Sequence, residues 1–270
     1  MNSLSYRPWA LLSTLFSRSE PGALTALVAE PYNPRVPLQS ASRARVAVLA
    51  SGGGSNLQAI VDYFAALGPH RCGDVVLVAS DRINAPALNR ARNAGIEAVH
   101  LDGELRGDGM LEALVSRGVM IVVLAGYLQL VPSAVTTAYR GRIVNVHPAL
   151  LPAFGGRGMY GERVHAAVLA AGVAISGATV HFVDEVYDRG AIVAQWPVPV
   201  SPNDTVNTLG PRVLAVEHLL YPRVVNALCS GRIHLDAGGK VAGVPAPESA
   251  AAFSMGDYVG LRHSLDRWLG

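Results

Sequence analysis

The sequence predicts an α/β fold: a Rossmann-like, mostly parallel central sheet with helices on both faces, followed by a C-terminal β-hairpin. Three observations predict it. Short, uninterrupted apolar runs recur along the chain, as strands buried on both faces do. Segments with helical spacing of apolar residues alternate with them. The glycine-rich stretch "SGGGSN" (51–56) joins the first apolar run directly to the first helical segment, the kind of turn that open α/β sheets place at the C-terminal end of a strand.

The elements follow in order. Strands are expected at "RVAVLA" (45–50), "DVVLVAS" (74–80), "EAVHL" (97–101), "MIVVLAG" (120–126) and "RIVNVH" (142–147), and then at "GATVHFV" (177–183) and "AIVAQWPVPV" (191–200). Helices are expected near 56–67, 85–94, 109–117 and 133–139, with a long one over 205–227 that opens at "NDT" and ends before Gly231. The stretch "RIHLDAGGKVAGV" (232–244) carries two short strand-like runs across a Gly-Gly turn, which reads as a hairpin. Residues 1–44 read as a poorly ordered N-terminal extension, because "PYNPRVPLQSASRA" has the proline and polar content of a linker. Residues 45–245 form the main domain, and 246–270 a tail that is either helical or mobile.

Composition narrows the function classes. Half of the 270 residues are hydrophobic and 16% are charged, which is globular material. A net charge of +2 gives no electrostatic footprint for nucleic acid. No apolar run reaches the roughly 18 residues of a membrane span. The apolar stretch near the N-terminus is broken by prolines and charges, so no secretory signal is expected. Cys72 and Cys229 match no metal or redox spacing, and a reducing, cytoplasmic compartment is the simple reading.

Gly52, Gly53 and Gly54 let a ligand approach the backbone closely. Ser55 and Asn56 then open a helix, whose free N–H groups and dipole favour a dianion. The pattern is neither a Walker loop nor GxGxxG, so a monophosphate is favoured over a dinucleotide. The plainer alternative is a tight turn with Ser55 or Asn56 as N-cap. Asp81, near the end of the second strand, reads as a turn and helix cap more readily than as a nucleotide ligand.

In "IVNVHPALLP", Asn145 and His147 alternate by two and leave the same strand face, and Pro148 stops the strand at once. An amide beside an imidazole suits a reaction that develops negative charge on a carbonyl oxygen. In "GATVHFVDEVYDRGAIVAQ", Thr179 and His181 share a face ahead of an acidic loop with Asp184, Glu185 and Asp188. Glu217, in "AVEHLLYP", puts a carboxylate inside a mostly apolar helix. Taken singly, each has an ordinary reading: a core histidine, a solvated turn, a surface helix acid.

Taken in order, "SGGGSNLQAI", "LAGYLQLVP", "IVNVHPALLPAF", "GATVHFVDEVYDRGAIVAQ" and "EHLLYP" resemble the phosphoribosylglycinamide formyltransferase family over about residues 45–245. The resemblance implies the formyltransferase fold and transfer of a formyl group from 10-formyltetrahydrofolate, as co-substrate, to glycinamide ribonucleotide in purine biosynthesis, without a metal. It implies Asn145, His147 and Asp188 as the catalytic set, with Thr179 and His181 in support. It puts the substrate phosphate on Gly53, Gly54, Ser55 and Asn56, and the ribose on Glu217. It puts the folate on Leu128, Gln129, Leu130, Val131, Asn145, Val183 and Asp188. Small-molecule partners are implied, with no nucleic acid or membrane, and a homodimer is admitted.

The chain departs from the family pattern in places. Gln129 stands where many relatives carry arginine, the segment 154–168 resembles a bacterial variant, and Arg106 is only a candidate for a family arginine ahead of "VLAG". Formyltetrahydrofolate deformylase and methionyl-tRNA formyltransferase share the chemistry and are the near alternatives. A non-catalytic nucleotide-binding module is the alternative of another class.

Overall fold

The computed structural model describes residues 43–107 and 109–243. The expectations for the extension up to residue 42 and for the tail at 246–270 lie outside the described residues. Seven strands form one sheet in the order β3-β2-β1-β4-β5-β6-β7. β1 (Ala44–Leu49), β2 (Gly73–Ser80), β3 (Glu97–His100), β4 (Ile121–Leu124) and β5 (Ile143–His147) run parallel. β6 (Ile175–Phe182) and β7 (Ile192–Pro199) extend the sheet antiparallel. The chain builds outward from β1 to β3 and then returns to β4 on the other side of β1. The ends of β1 and β4 therefore flank the point where the winding reverses, which is where such sheets bind ligands.

The connections are helical: α1 (Ser55–Leu67), α2 (Pro86–Asn93), α3 (Gly109–Ser116), α4 (Ser133–Ala138), α5 (Glu162–Ala170) and α6 (Val206–Cys229). The strands are apolar at successive positions because both sheet faces are covered. On one face Val46, Val48, Val144, Val180 and Phe182 pack with Leu57 and Ile60 of α1 and with Leu220 and Val224 of α6. On the other, Ala47, Leu49, Val122, Leu124 and Ile143 pack with Met110 and Leu114 of α3 and Val135 of α4. Fully burying one such aliphatic side chain is worth about 1.5–3 kcal/mol.

The expected hairpin is formed by β8 (His234–Leu235) and β9 (Val241–Ala242). Asp236 closes its turn by accepting the N–H groups of Gly238 and Lys240 at 2.8 and 2.9 Å. One element, α5, has no counterpart among the expected helices. It is nine residues long, opens at Gly161 with φ 52° and no side-chain cap, and buries Val164, His165 and Val168. A helix so short, entered through a glycine-rich loop, leaves little periodic signal.

Candidate functional site

The glycine loop leaves β1 and enters α1 through Gly54, at φ 74°. Gly54 is the N-cap residue, and no side chain caps the helix, so the reading of Ser55 or Asn56 as N-cap does not hold. A Cβ at Gly54 would lie 2.8 Å from the Ala87 Cβ, whereas one at Gly52 or Gly53 would meet nothing within 4 Å. Only glycine therefore fits at 54, on grounds of both conformation and space. The loop leads into a helix N-terminus that no side chain caps, an arrangement that suits an anion. Arg90 braces the loop from outside, its Nε donating to the Gly53 carbonyl at 2.8 Å.

Asn56 turns inward. Its Nδ2 donates to Glu217 Oε2 at 2.6 Å, across 161 residues of sequence. Glu217 is no surface acid: both residues are buried, and burial raises the Glu217 carboxyl to about 7, opposed by the Asn56 N–H. Asn56 Oδ1 is buried without a partner. The expected phosphate loop and the expected ribose carboxylate are thus adjacent.

On the far side of β1, Asn145 and His147 sit in cross-strand register with His181 and Thr179. This pairing brings the four side chains onto one sheet face. His181 Nδ1 lies 2.7 Å from the Phe182 carbonyl. A carbonyl can only accept, so Nδ1 donates to it, and Nε2 lies 3.1 Å from Asn145 Nδ2. By the same logic His147 Nε2 donates to the Phe154 carbonyl at 2.9 Å, leaving Nδ1 toward Asp188. Asp188 lies between the two rings, 3.6 Å from His147 Nδ1 and 3.6 Å from His181 Nε2. Burial lowers the His147 pKa, opposed by the Asp188 carboxylate and the Phe154 carbonyl. Burial pushes the Asp188 carboxyl up, but His181, the Gly156 N–H and His147 outweigh it and hold it below its ordinary value.

The backbone delivers Asp188 to this point. Val183 donates to the Ile143 carbonyl at 3.0 Å, so the acidic loop leaves the sheet beside the start of β5 and folds back toward His147. Gly190 ends the loop where a Cβ would lie 1.9 Å from the Phe182 carbonyl. Within the loop Asp184 caps its own turn, accepting the Val186 N–H at 2.9 Å. Asp188 instead accepts the Gly156 N–H of a different loop at 2.8 Å. Thr179 holds the chain just after His147: its Oγ1 donates to the Ala149 carbonyl at 2.6 Å and accepts the Leu151 N–H at 3.0 Å.

Sequence reasoning missed three participants. Gln195, opposite Thr179 on β7, donates to Thr179 Oγ1 and to the Leu151 carbonyl; its place two residues from Val193 on an alternating strand was the available signal. The Phe154 carbonyl and the Gly156 amide are backbone groups, which no residue type announces.

The segment 128–131 follows β4. Val131 is buried and Leu130 is half exposed. Gln129 Nε2 donates to Asp81 Oδ2 at 3.3 Å, and Arg106 donates to the Asp81 carbonyl at 2.8 Å. Asp81 does not cap the following helix, whose N-cap is Ala85; it is a buried carboxylate between two loops. Among the described residues no group of three or more His, Cys, Asp or Glu is placed to hold a metal ion, and no helix is long and apolar enough to cross a membrane.

The family model described as formyl transferase matches residues 44–225. The chain is 40% identical over 237 residues to a chloroplastic phosphoribosylglycinamide formyltransferase of Vigna unguiculata, covering 86% of this chain and 72% of that one. It is 44% identical over 198 residues to the Arabidopsis thaliana protein of the same name, covering 71% and 67%. Among solved structures, glycinamide ribonucleotide transformylase 1 from Symbiobacterium toebii superposes with a TM-score of 0.66 at 42% identity, covering 74% of this chain and 93% of that one.

Proposed function

The chain belongs to the formyl transferase family, and from that premise we propose that it moves a formyl group from 10-formyltetrahydrofolate to the primary amine of glycinamide ribonucleotide, a step of de novo purine biosynthesis. One observation carries the chemistry: Asp188 is shared by His147 and His181, with Asn145 alongside. The amine attacks the formyl carbon directly. The carbonyl oxygen, as it takes on negative charge, receives hydrogen bonds from the free N–H of Asn145 and from His147 Nε2–H, which exchanges the Phe154 carbonyl for it. Asp188, ionised beside His147, takes the proton that the amine loses, through a water, and the proton returns to the departing folate nitrogen. The C–N bond to the folate breaks as that nitrogen is protonated. Neither cysteine and no activated serine lies in this set, so no covalent acyl-enzyme is involved.

The acceptor reading rests on the Asn56–Glu217 bond, which puts a carboxylate suited to two ribose hydroxyls next to a loop suited to a phosphate. Leu128 to Val131, Val183 and Asp188 are assigned to the folate. The catalytic domain is taken as 45–245, with the flanking segments outside the chemistry. We place the protein in the cytoplasm, where thiols such as Cys72 and Cys229 stay reduced.

The test is an assay of purified protein with both substrates and a control without acceptor. Formylated glycinamide ribonucleotide is the expected product. Formate release without acceptor would make the chain a hydrolase of the formyl folate, and formylation of methionyl-tRNA instead would change the acceptor. Binding of the nucleotide without turnover would reduce the chain to a binding module.

A further inference from the structure

The catalytic set leaves the buried Asp81 unused. Asp81 follows β2, is 8% exposed, and offers one carboxylate oxygen to each of two segments. Oδ1 accepts the Ser51 hydroxyl. Oδ2 accepts Gln129 Nε2 at 3.3 Å. Ser51 is the first residue of the glycine loop, and its Oγ in turn accepts the Leu128 N–H at 2.9 Å. The Ser51 N–H donates to the Gly126 carbonyl at 3.0 Å. Three neighbouring parallel strands, β2, β1 and β4, therefore end in one hydrogen-bonded knot. A buried carboxylate is retained at a cost that hydrogen bonds must offset, and here the donors come from the two segments assigned above to different substrates.

We propose that Ser51 and Asp81 are positioning residues that fix the 128–131 segment against the glycine loop, so that the pocket for the formyl donor is built on the loop that holds the acceptor. Neither side chain touches a reacting atom. Ser51 sets the height of the Leu128 backbone, and Asp81 sets both the Ser51 hydroxyl and the Gln129 amide. With this tie cut, the 128–131 segment loses its anchor while Asn145, His147 and Asp188, held by β5, β6 and the acidic loop, keep their places. The defect therefore falls on formyl-donor KM and not on kcat. The assignment of those two ligands rests on the proposed function; the tie itself does not.

The experiment uses the full chain in four forms: wild type, Ser51→Ala, Gln129→Glu, and the double variant Asp81→Asn with Gln129→Glu. Ser51→Ala deletes the acceptor of the Leu128 N–H, and the expected rise in KM for 10-formyltetrahydrofolate is about three- to tenfold, as for one or two positioning hydrogen bonds. Gln129→Glu sets two carboxylates against each other and should raise that KM by about tenfold or more. The double variant restores a carboxylate–amide pair in swapped order and should return exchange of the Leu128 amide to within about threefold of wild type.

Hydrogen exchange of the Leu128 amide gives a readout that needs no substrate: Ser51→Ala should speed it about tenfold. If the assay of the wild type fails while this amide responds, the functional reading falls and the tie stands. Unchanged Leu128 exchange would overturn the tie. So would a double variant whose Leu128 amide exchanges as fast as that of Gln129→Glu alone, or a Ser51→Ala loss carried by kcat.

Discussion

Glu217→Gln should make the protein more stable and less able to bind its acceptor, and the stability gain should depend on pH. Burial lifts the Glu217 carboxyl from 4.5 in the unfolded chain to about 7 in the folded one. A raised carboxyl pKa means that the folded state binds the proton more tightly. The fold then carries no penalty below pH 4.5, loses stability as pH rises from there through 7, and has lost the full amount above it. At about 1.4 kcal/mol per tenfold difference in proton affinity, the loss is on the order of 3 kcal/mol. Glutamine cannot ionise, and its Nε2 offers a donor to Asn56 Oδ1, which is buried without one.

The assay is thermal unfolding of the two proteins side by side from pH 5 to 8.5. For a domain of this size, 1 kcal/mol moves Tm by about 2–4 °C, so the variant should melt some 5–10 °C higher at pH 8, with the gap narrowing toward pH 5. Acceptor KM should meanwhile rise, because an amide offers the ribose hydroxyls one acceptor in place of two. A gap independent of pH, or a variant less stable at pH 8, would refute the reasoning.

Three further outcomes are expected. Asp188→Asn should lower kcat by about 10²–10⁴ with both KM values little changed, and adding His147→Ala should cost little more; strictly multiplicative losses in steady-state kinetics would separate the two residues. Gly54→Ala puts a Cβ 2.8 Å from the Ala87 Cβ at a φ of 74°, and should raise acceptor KM more than donor KM, with about 1–3 kcal/mol of stability lost in denaturant unfolding. A chain starting at Ser42 should fold and turn over at the full-length rate, since the described fold and every assigned side chain lie beyond it; a folded but inactive product would give residues 1–41 a part in the site.

What was legible in the sequence follows the reach of its periodic signals. β1, β2 and β4 were legible because strands covered on both faces read as unbroken apolar runs, and α6 because its apolar spacing runs over 24 residues. The candidate site was legible where side chains build it: Asn145 and His147 share a face by alternation, Thr179 and His181 likewise, and Gly54 stands out through its neighbours. The depth of Glu217 was not legible, since a single acid in an apolar helix reads the same whether it faces water or Asn56. Asp81 was misjudged for a related reason. Its turn-forming context is local, whereas its partners Ser51 and Gln129 lie 30 and 48 residues away. The Phe154 carbonyl and the Gly156 amide left no trace, because backbone groups are the same in every residue.

These partly illegible features also break the local rules that the rest of the chain obeys. Phe154 and Asp188 are the two described non-glycine residues with positive φ, at 56° and 55°, and a conformation of this kind costs about 1–3 kcal/mol. Aspartate tolerates it better than a bulky ring does, so Phe154 is the sharper exception. Both meet at His147: the Phe154 carbonyl accepts a hydrogen bond from Nε2–H and the Asp188 carboxylate faces Nδ1. The imidazole is thus addressed at both nitrogens by residues the chain holds in uncommon conformations. Glu217 adds a buried, ionisable group to the same account. Selection for stability alone would relax all three, toward glycine or asparagine at 154 and 188 and an amide at 217. Their joint presence fits the proposed site, in which one ring is oriented where Asp188, His147 and Asn145 meet and Glu217 faces the acceptor's diol.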